Sequence, residues 1–171
     1  WYSDQKGLVG CNYLPSTAIN QLEMFQEDNF DFETNKREIG WANDIGFNSL
    51  RIYLHDLLWQ DKESFKKRLN KTLSLCLNFN IKPTLVLFDD CHRPFPKLGK
   101  QPLPVRGVHN SGWKQSPGHK IVKEIAIGNK KEEARLKIFV QEVLDDFRDD
   151  ERILLWDLYN EPGQFGIGDE S

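Results

Sequence analysis

The chain has 171 residues, 39% hydrophobic and 29% charged, with a formal net charge of −3. That balance describes one soluble globular domain able to bury a core. A slightly acidic chain without a basic tract argues against nucleic acid as the main partner, and no apolar run approaches the ~20 residues that span a bilayer.

In chain order, Gly7-Leu8-Val9-Gly10-Cys11-Asn12-Tyr13-Leu14 reads as a first strand, near 8–14, closed by Pro15-Ser16. Residues 19–32 carry apolar side chains without a sustained period and read as a long loop. Asp31 is placed to N-cap a helix through Ile39, Ala42 and Ile45 that Gly46 ends. Trp41, inside it, is expected to pack between sheet and helix. Residues 48–54 form the second strand and lead into His55-Asp56. A helix follows from about Lys62 to Phe79, with Phe65, Leu69, Leu73, Cys76 and Leu77 at helical spacing, and Asn80 suits a left-handed stop. Residues 83–88 make the third strand, ending in Asp89-Asp90.

From Cys91 to about Lys130 no period is convincing; the stretch is rich in Pro and Gly and holds His109-Asn110-Ser111-Gly112-Trp113. Loops this long are uncommon unless functional or disordered. The mixture of aromatic, amide and hydroxyl groups points to an ordered binding loop. A helix with Leu136, Val140, Val143, Leu144 and Phe147 on one face leads into a fourth strand, near 153–159. It delivers Asn160 and Glu161 at its C-terminal end, and Pro162 stops it. Asp157, deeper in the same strand, needs a partner if buried, and an arginine from a neighbouring strand fits.

Strands alternating with helices imply βαβ units and a parallel sheet. Eight-fold barrels and doubly wound sheets both give this pattern. The first strand lacks the Gly-rich phosphate loop of a Rossmann fold, and no Gly-Lys-Ser/Thr of a P-loop occurs. In parallel α/β folds the C-terminal strand ends carry the chemistry. A carboxyl there, at the rim of an apolar wall, is positioned to act as a general acid.

Asn160-Glu161-Pro162 at the fourth strand's end, Arg51 in Leu50-Arg51-Ile52-Tyr53 and Gly10-Cys11-Asn12-Tyr13 on the first strand together resemble clan A glycoside hydrolases. These are the (β/α)8-barrel retaining enzymes that include family 5 cellulases and mannanases. Residues 15–24, 51–56 and 108–113 resemble bacterial cellulase-like or xylanase-like proteins more closely, and the likeness covers nearly the whole chain. The resemblance implies the first half, about four β/α units, of a TIM barrel spanning residues 1–171. It implies a retaining β-glycoside hydrolase acting on a plant-type or related polysaccharide, with Glu161 as general acid/base. Asn160 would bind the sugar 2-hydroxyl, and Arg51 would support the nucleophile's carboxylate. The family places that nucleophile at the seventh strand, so residues 1–171 alone are expected to be inactive. Many family 5 members carry a histidine where this chain has Asp89-Asp90.

Asn12, His55, Trp59, Asp89, Asp90 and Trp113 are the candidate substrate contacts, the two tryptophans as stacking surfaces for pyranose rings. Glu23 and Asp56 are read as loop charges or caps, and His55 also suits capping. No cofactor or metal is implied. The three cysteines, Cys11, Cys76 and Cys91, lack metal-ligand spacing, and Cys76 falls in an apolar stripe. A metal-dependent barrel hydrolase using Asp89, Asp90, His92 and His109 is a weaker reading, lacking a His-x-His on the first strand. The main alternative is a non-catalytic carbohydrate-binding half-barrel or an inactive fragment. A half-barrel leaves two sheet edges open, so exposed apolar residues, and self-association or pairing with a C-terminal half-barrel, are expected. No signal peptide is visible at Trp1-Tyr2-Ser3; a secreted or periplasmic location follows if one has been removed.

Overall fold

The structure, a computed structural model, describes Ser3 and residues 7–163. Four strands, β1 (Gly10–Asn12), β2 (Ser49–Tyr53), β3 (Lys82–Asp89) and β4 (Leu155–Asn160), form one sheet in the order β1-β2-β3-β4. Every pairing is parallel, with Asn12 opposite Arg51, Arg51 opposite Thr84, and Asp89 opposite Asn160. Helices connect each strand to the next, so this is an α/β fold with four parallel strands alternating with helices. Consecutive strand order leaves no point within this sheet where the order reverses, which is where a doubly wound sheet binds its ligand.

Between β1 and β2 lie α1 (Gln21–Phe25) and α2 (Phe32–Asp44). The Asp31 side chain caps α2 by accepting from the Thr34 backbone N–H at 2.9 Å, and Gly46 leaves it at φ 92°. After β2 come a short 3-10 helix (Asp56–Asp61) and α3 (Lys62–Asn78), with Asn80 left-handed at φ 56°. After β3 come the long loop, α4 (His119–Ala126) and α5 (Lys130–Phe147).

One apolar cluster holds the layers together. Leu50, Ile52 and Leu54 of the β2 segment and Leu85 and Leu87 of β3 join Ile39 of α2, Phe65, Leu69, Leu73 and Cys76 of α3, and Phe139, Val143 and Phe147 of α5. The alternate β2 residues, Arg51 and Tyr53, stand outside this cluster and serve the site below. Burial of this kind contributes roughly 25 cal/mol per Å² of apolar surface, which makes the cluster the main stabilising term of the domain.

The structure departs from the sequence reading in several places. Residues 19–32 are not simply a loop: the Asn20 side chain accepts from the Leu22 and Glu23 N–H groups at 3.1 and 3.2 Å and starts α1. The stretch after Cys91 contains α4, which begins beside Gly118. A Cβ there would meet Pro96 Cδ at 2.4 Å and the Pro94 carbonyl oxygen at 2.9 Å. On α3 it is Leu75 that is buried while Leu77 faces out, and on α5 Phe139 belongs to the buried stripe. Trp41 does not pack inward: it is 57% exposed, with the Arg37 guanidinium 5.3 Å above its ring.

The open edges are as expected. Leu8 and Val9 beside β1, and Leu155 and Leu158 on β4, are all more than two-fifths exposed. Among the described residues no helix is long and apolar enough to cross a membrane.

Candidate active site

Arg51 organises the rim at the C-terminal ends of the strands. Its Nε donates to Asp157 Oδ2 at 3.0 Å and its Nη2 donates both to the same oxygen and to Asn160 Oδ1, the latter at 3.0 Å. Its Nη1 donates to the Tyr53 hydroxyl and, at the long distance of 3.5 Å, toward Asn12 Oδ1. Asp157 therefore has its arginine, but from β2, one strand beyond its neighbour. The strand between offers only the short side chains Thr84, opposite Arg51, and Val86, opposite Asp157. A guanidinium has five N–H donors, and here only the long contact to Asn12 is weakly used.

Asn160 is buried and gripped at both ends of its amide. Its Nδ2 donates to Asp89 Oδ1 at 2.7 Å while its Oδ1 accepts from Arg51. The carboxylate and the guanidinium thus settle which end is which. Asp89, 1% exposed, also accepts from the Cys91 N–H at 3.3 Å and bonds His92 Nδ1. Asp90, 0% exposed, accepts from Gln115 Nε2 at 3.1 Å and from the Gly163 N–H at 2.9 Å. Both Asp residues, expected to contact sugar or the long loop, are committed to the loop and to the end of β4.

Glu161 follows at φ 47°, a left-handed conformation that costs a non-glycine residue about 1–2 kcal/mol. That turn interrupts the alternation of side chains directly after Asn160, and leaves Glu161 exposed. Strain of this kind collects at functional positions. Burial pushes the Cys91 thiol up to about 12, and the Glu161 carboxylate adds to the rise.

An aromatic wall stands beside this polar set. Trp113 meets the Tyr53 ring edge-on at 5.0 Å and lies over His92 at 5.0 Å, while the Arg51 guanidinium sits 4.8 Å from the Tyr53 centroid. Burial holds the Tyr53 phenol up at about 12 despite the charge of Arg51. The loop carrying Trp113 is fixed over the rim by paired backbone bonds between Asp89 and Ser116 and by Asn20 Nδ2 donating to the Gly112 carbonyl at 2.8 Å. Gly112 fits because a Cβ there would meet Ile19 Cγ2 at 2.8 Å.

Asn12, Arg51, Asp89, Asn160, Glu161 and Trp113 are thus gathered at one end of the sheet, with Asp90 beneath them. Two other candidates are not. His55 is wholly buried; its Nδ1 accepts from the Leu57 N–H at 3.2 Å and caps the 3-10 helix, so it cannot touch a ligand. Trp59 packs edge-on against Phe65 and Phe139 and donates from Nε1 to Glu142 Oε2 at 2.6 Å, which places it in the helix layer. His92 and Tyr53, which the sequence reading gave no sugar-site role, belong to the cluster. The spacing Asp89-x-x-His92 was the available signal for the first. Among the described residues no three His, Cys, Asp or Glu side chains gather as metal ligands.

Comparison with known families, curated proteins and solved structures finds no match.

Proposed function

We propose that this chain forms the acid/base side of a retaining β-glycoside hydrolase site, on the first four strands of a (β/α)8 barrel. The observation that carries the reading is the fixed amide of Asn160 between Arg51 and Asp89, directly before an exposed carboxylate at the C-terminal rim. In this reading Glu161 protonates the leaving oxygen and later, as a carboxylate, takes a proton from water. The remaining Asn160 N–H, not held by Asp89, reaches the sugar 2-hydroxyl. Trp113, backed edge-on by the buried Tyr53 ring, offers apolar ring surface to the pyranose.

A retaining site needs a second carboxylate about 5–5.5 Å from the first. Asp56, Asp89, Asp90 and Asp157 are each held by donors of the fold, and Glu23 accepts from the Ile19 and Gln101 N–H groups. None of these is placed to serve, so the nucleophile is assigned to a later strand. There the Arg51 Nη1 N–H that reaches Asn12 only at 3.5 Å is available to support it. The same observation favours the second reading, a carbohydrate-binding half-barrel without catalysis.

Asn160→Ala separates the two. In a protein carrying all eight strands, it should lower kcat/KM by about 10²-fold on a substrate with a 2-hydroxyl, because that bond strengthens in the transition state. On the matched 2-deoxy substrate the variant and the parent should differ little. Equal losses on both substrates would remove the 2-hydroxyl role, and absence of any turnover in the parent protein would favour the binding reading.

A further inference from the structure

Between Asp90 and Glu124 the sequence holds seven of the chain's 23 Lys and Arg residues and none of its 26 Asp and Glu residues. The cations are never adjacent, so no basic run is visible along the chain. Folding brings two of them together: the Arg93 N–H donates to the Trp113 carbonyl at 3.2 Å, and the Gln115 N–H to the Arg93 carbonyl at 3.0 Å. Arg93 and Lys114 are thereby paired across a bridge, next to His92 and Trp113 of the site. Burial, and then the charge of Arg93, pull the Lys114 ammonium down.

Two like charges held side by side repel, and no carboxylate among the described residues lies within ion-pair distance of either. Among the described residues Arg93, Lys97, Lys100, Arg106 and Lys114 form no ion pair. Of the rim carboxylates, Asp157 is held by Arg51, Asp89 by Asn160 and His92, and Glu23 by two backbone N–H groups, so none of these three is paired with those five cations.

We propose that this loop is an anion-recognising wall along the sugar site, and that the glycan bound here carries carboxylates, as uronic acid residues do. The inference rests on the glycoside reading given above and names its substrate class. A carboxylate carried on a pyranose ring matches the cations Arg93 and Lys114 held beside the Trp113 ring. Nucleic acid, with a charge every ~1.7 Å of duplex, is far denser in charge than a loop whose cations are never adjacent in sequence.

Affinity electrophoresis of the 171-residue chain tests it, in gels containing polygalacturonate, a neutral xylan, a neutral β-glucan or single-stranded DNA. Polygalacturonate should retard the chain most, and its dissociation constant should rise about tenfold between ~50 mM and ~500 mM salt as the charges are screened. Arg93→Gln with Lys114→Gln should weaken that binding about fivefold. Neither side chain holds a hydrogen bond among the described residues, so folding is not at stake. Lys130→Gln with Lys137→Gln, on α5, should leave it unchanged. Retardation by neutral glycans equal to that by polygalacturonate would overturn the uronate inference and leave the glycoside reading standing. Retardation by none of the glycans would overturn both. Equal binding of DNA and polygalacturonate would reduce the loop to a general polyanion surface and overturn the inference as well.

Discussion

Replacing Glu161 with Gln, in a protein carrying all eight strands, should reduce hydrolysis of substrates with poor leaving groups by about 10²–10⁴-fold. The substitution keeps the size and most of the hydrogen bonding of the side chain while removing the proton it donates. Aryl glycosides with an activated leaving group need little protonation, so formation of their glycosyl-enzyme should slow much less. Its breakdown should still slow, because the same residue must act as base toward water. The expected signature is a burst of aryl alcohol followed by slow turnover. A uniform loss across leaving groups would show that Glu161 does something other than proton transfer. The fold agrees with a direct role: the exposed carboxylate follows an amide locked by Arg51 and Asp89, and its left-handed backbone is a conformation that would not persist without support from its surroundings.

The second large effect concerns stability. Asp56, 2% exposed, ties three parts of the molecule together at the end of β2. It accepts from Arg135 Nη1 of α5 at 2.7 Å and from Ser116 Oγ of the long loop at 3.1 Å, while Ser116 Oγ accepts from its backbone N–H at 3.1 Å. Burial alone would push its carboxyl up, but its contacts with the neighbouring His55 ring and with the Arg135 guanidinium outweigh it and hold it at about 2. Asp56→Ala leaves Arg135 and Ser116 without that partner and should cost about 3 kcal/mol in urea denaturation, the scale for breaking a buried pair. Asp56→Asn, which keeps an acceptor for Ser116 but not the charge, should cost less. Because the folded carboxyl is depressed, its contribution is fully present above the unfolded value of about 3.9 and is lost as the pH falls toward 2. The parent should therefore lose stability over that acid window more steeply than Asp56→Asn. Identical acid profiles would remove Asp56 from this role.

Much of this was legible along the chain because the deciding physics is local. Strand positions followed from short apolar runs, the α2 start from Asp31, and the α3 stop from Asn80 at φ 56°. The rim cluster was legible in part, since Arg51, Asn160 and Glu161 fall at the ends of strands whose order the alternation suggests. What failed depends on contacts far apart in sequence. Trp59 reads as a loop aromatic until Glu142, 83 residues away, takes its N–H. His55 reads as a polar group at a strand end until burial makes it a cap. Conversely, nothing near Trp41 announces that it faces out, because only the neighbouring layers decide which side of a helix is covered. The α4 helix escaped because eight residues give too short a window for a period to emerge.

The central claim is that Glu161 is the acid/base of a retaining site and not its nucleophile. The most direct measurement is anion rescue of Glu161→Ala with an activated aryl β-glycoside, in a protein carrying all eight strands. Removing the side chain leaves room beside the glycosyl-enzyme, and azide needs no base to attack it. The account predicts that azide restores turnover and that the product is the β-glycosyl azide, formed with net retention from the face that water normally uses. An α-glycosyl azide would mean that Glu161 is the group that attacks the sugar, and unimpaired turnover of Glu161→Ala without azide would mean that it takes no part in the chemistry.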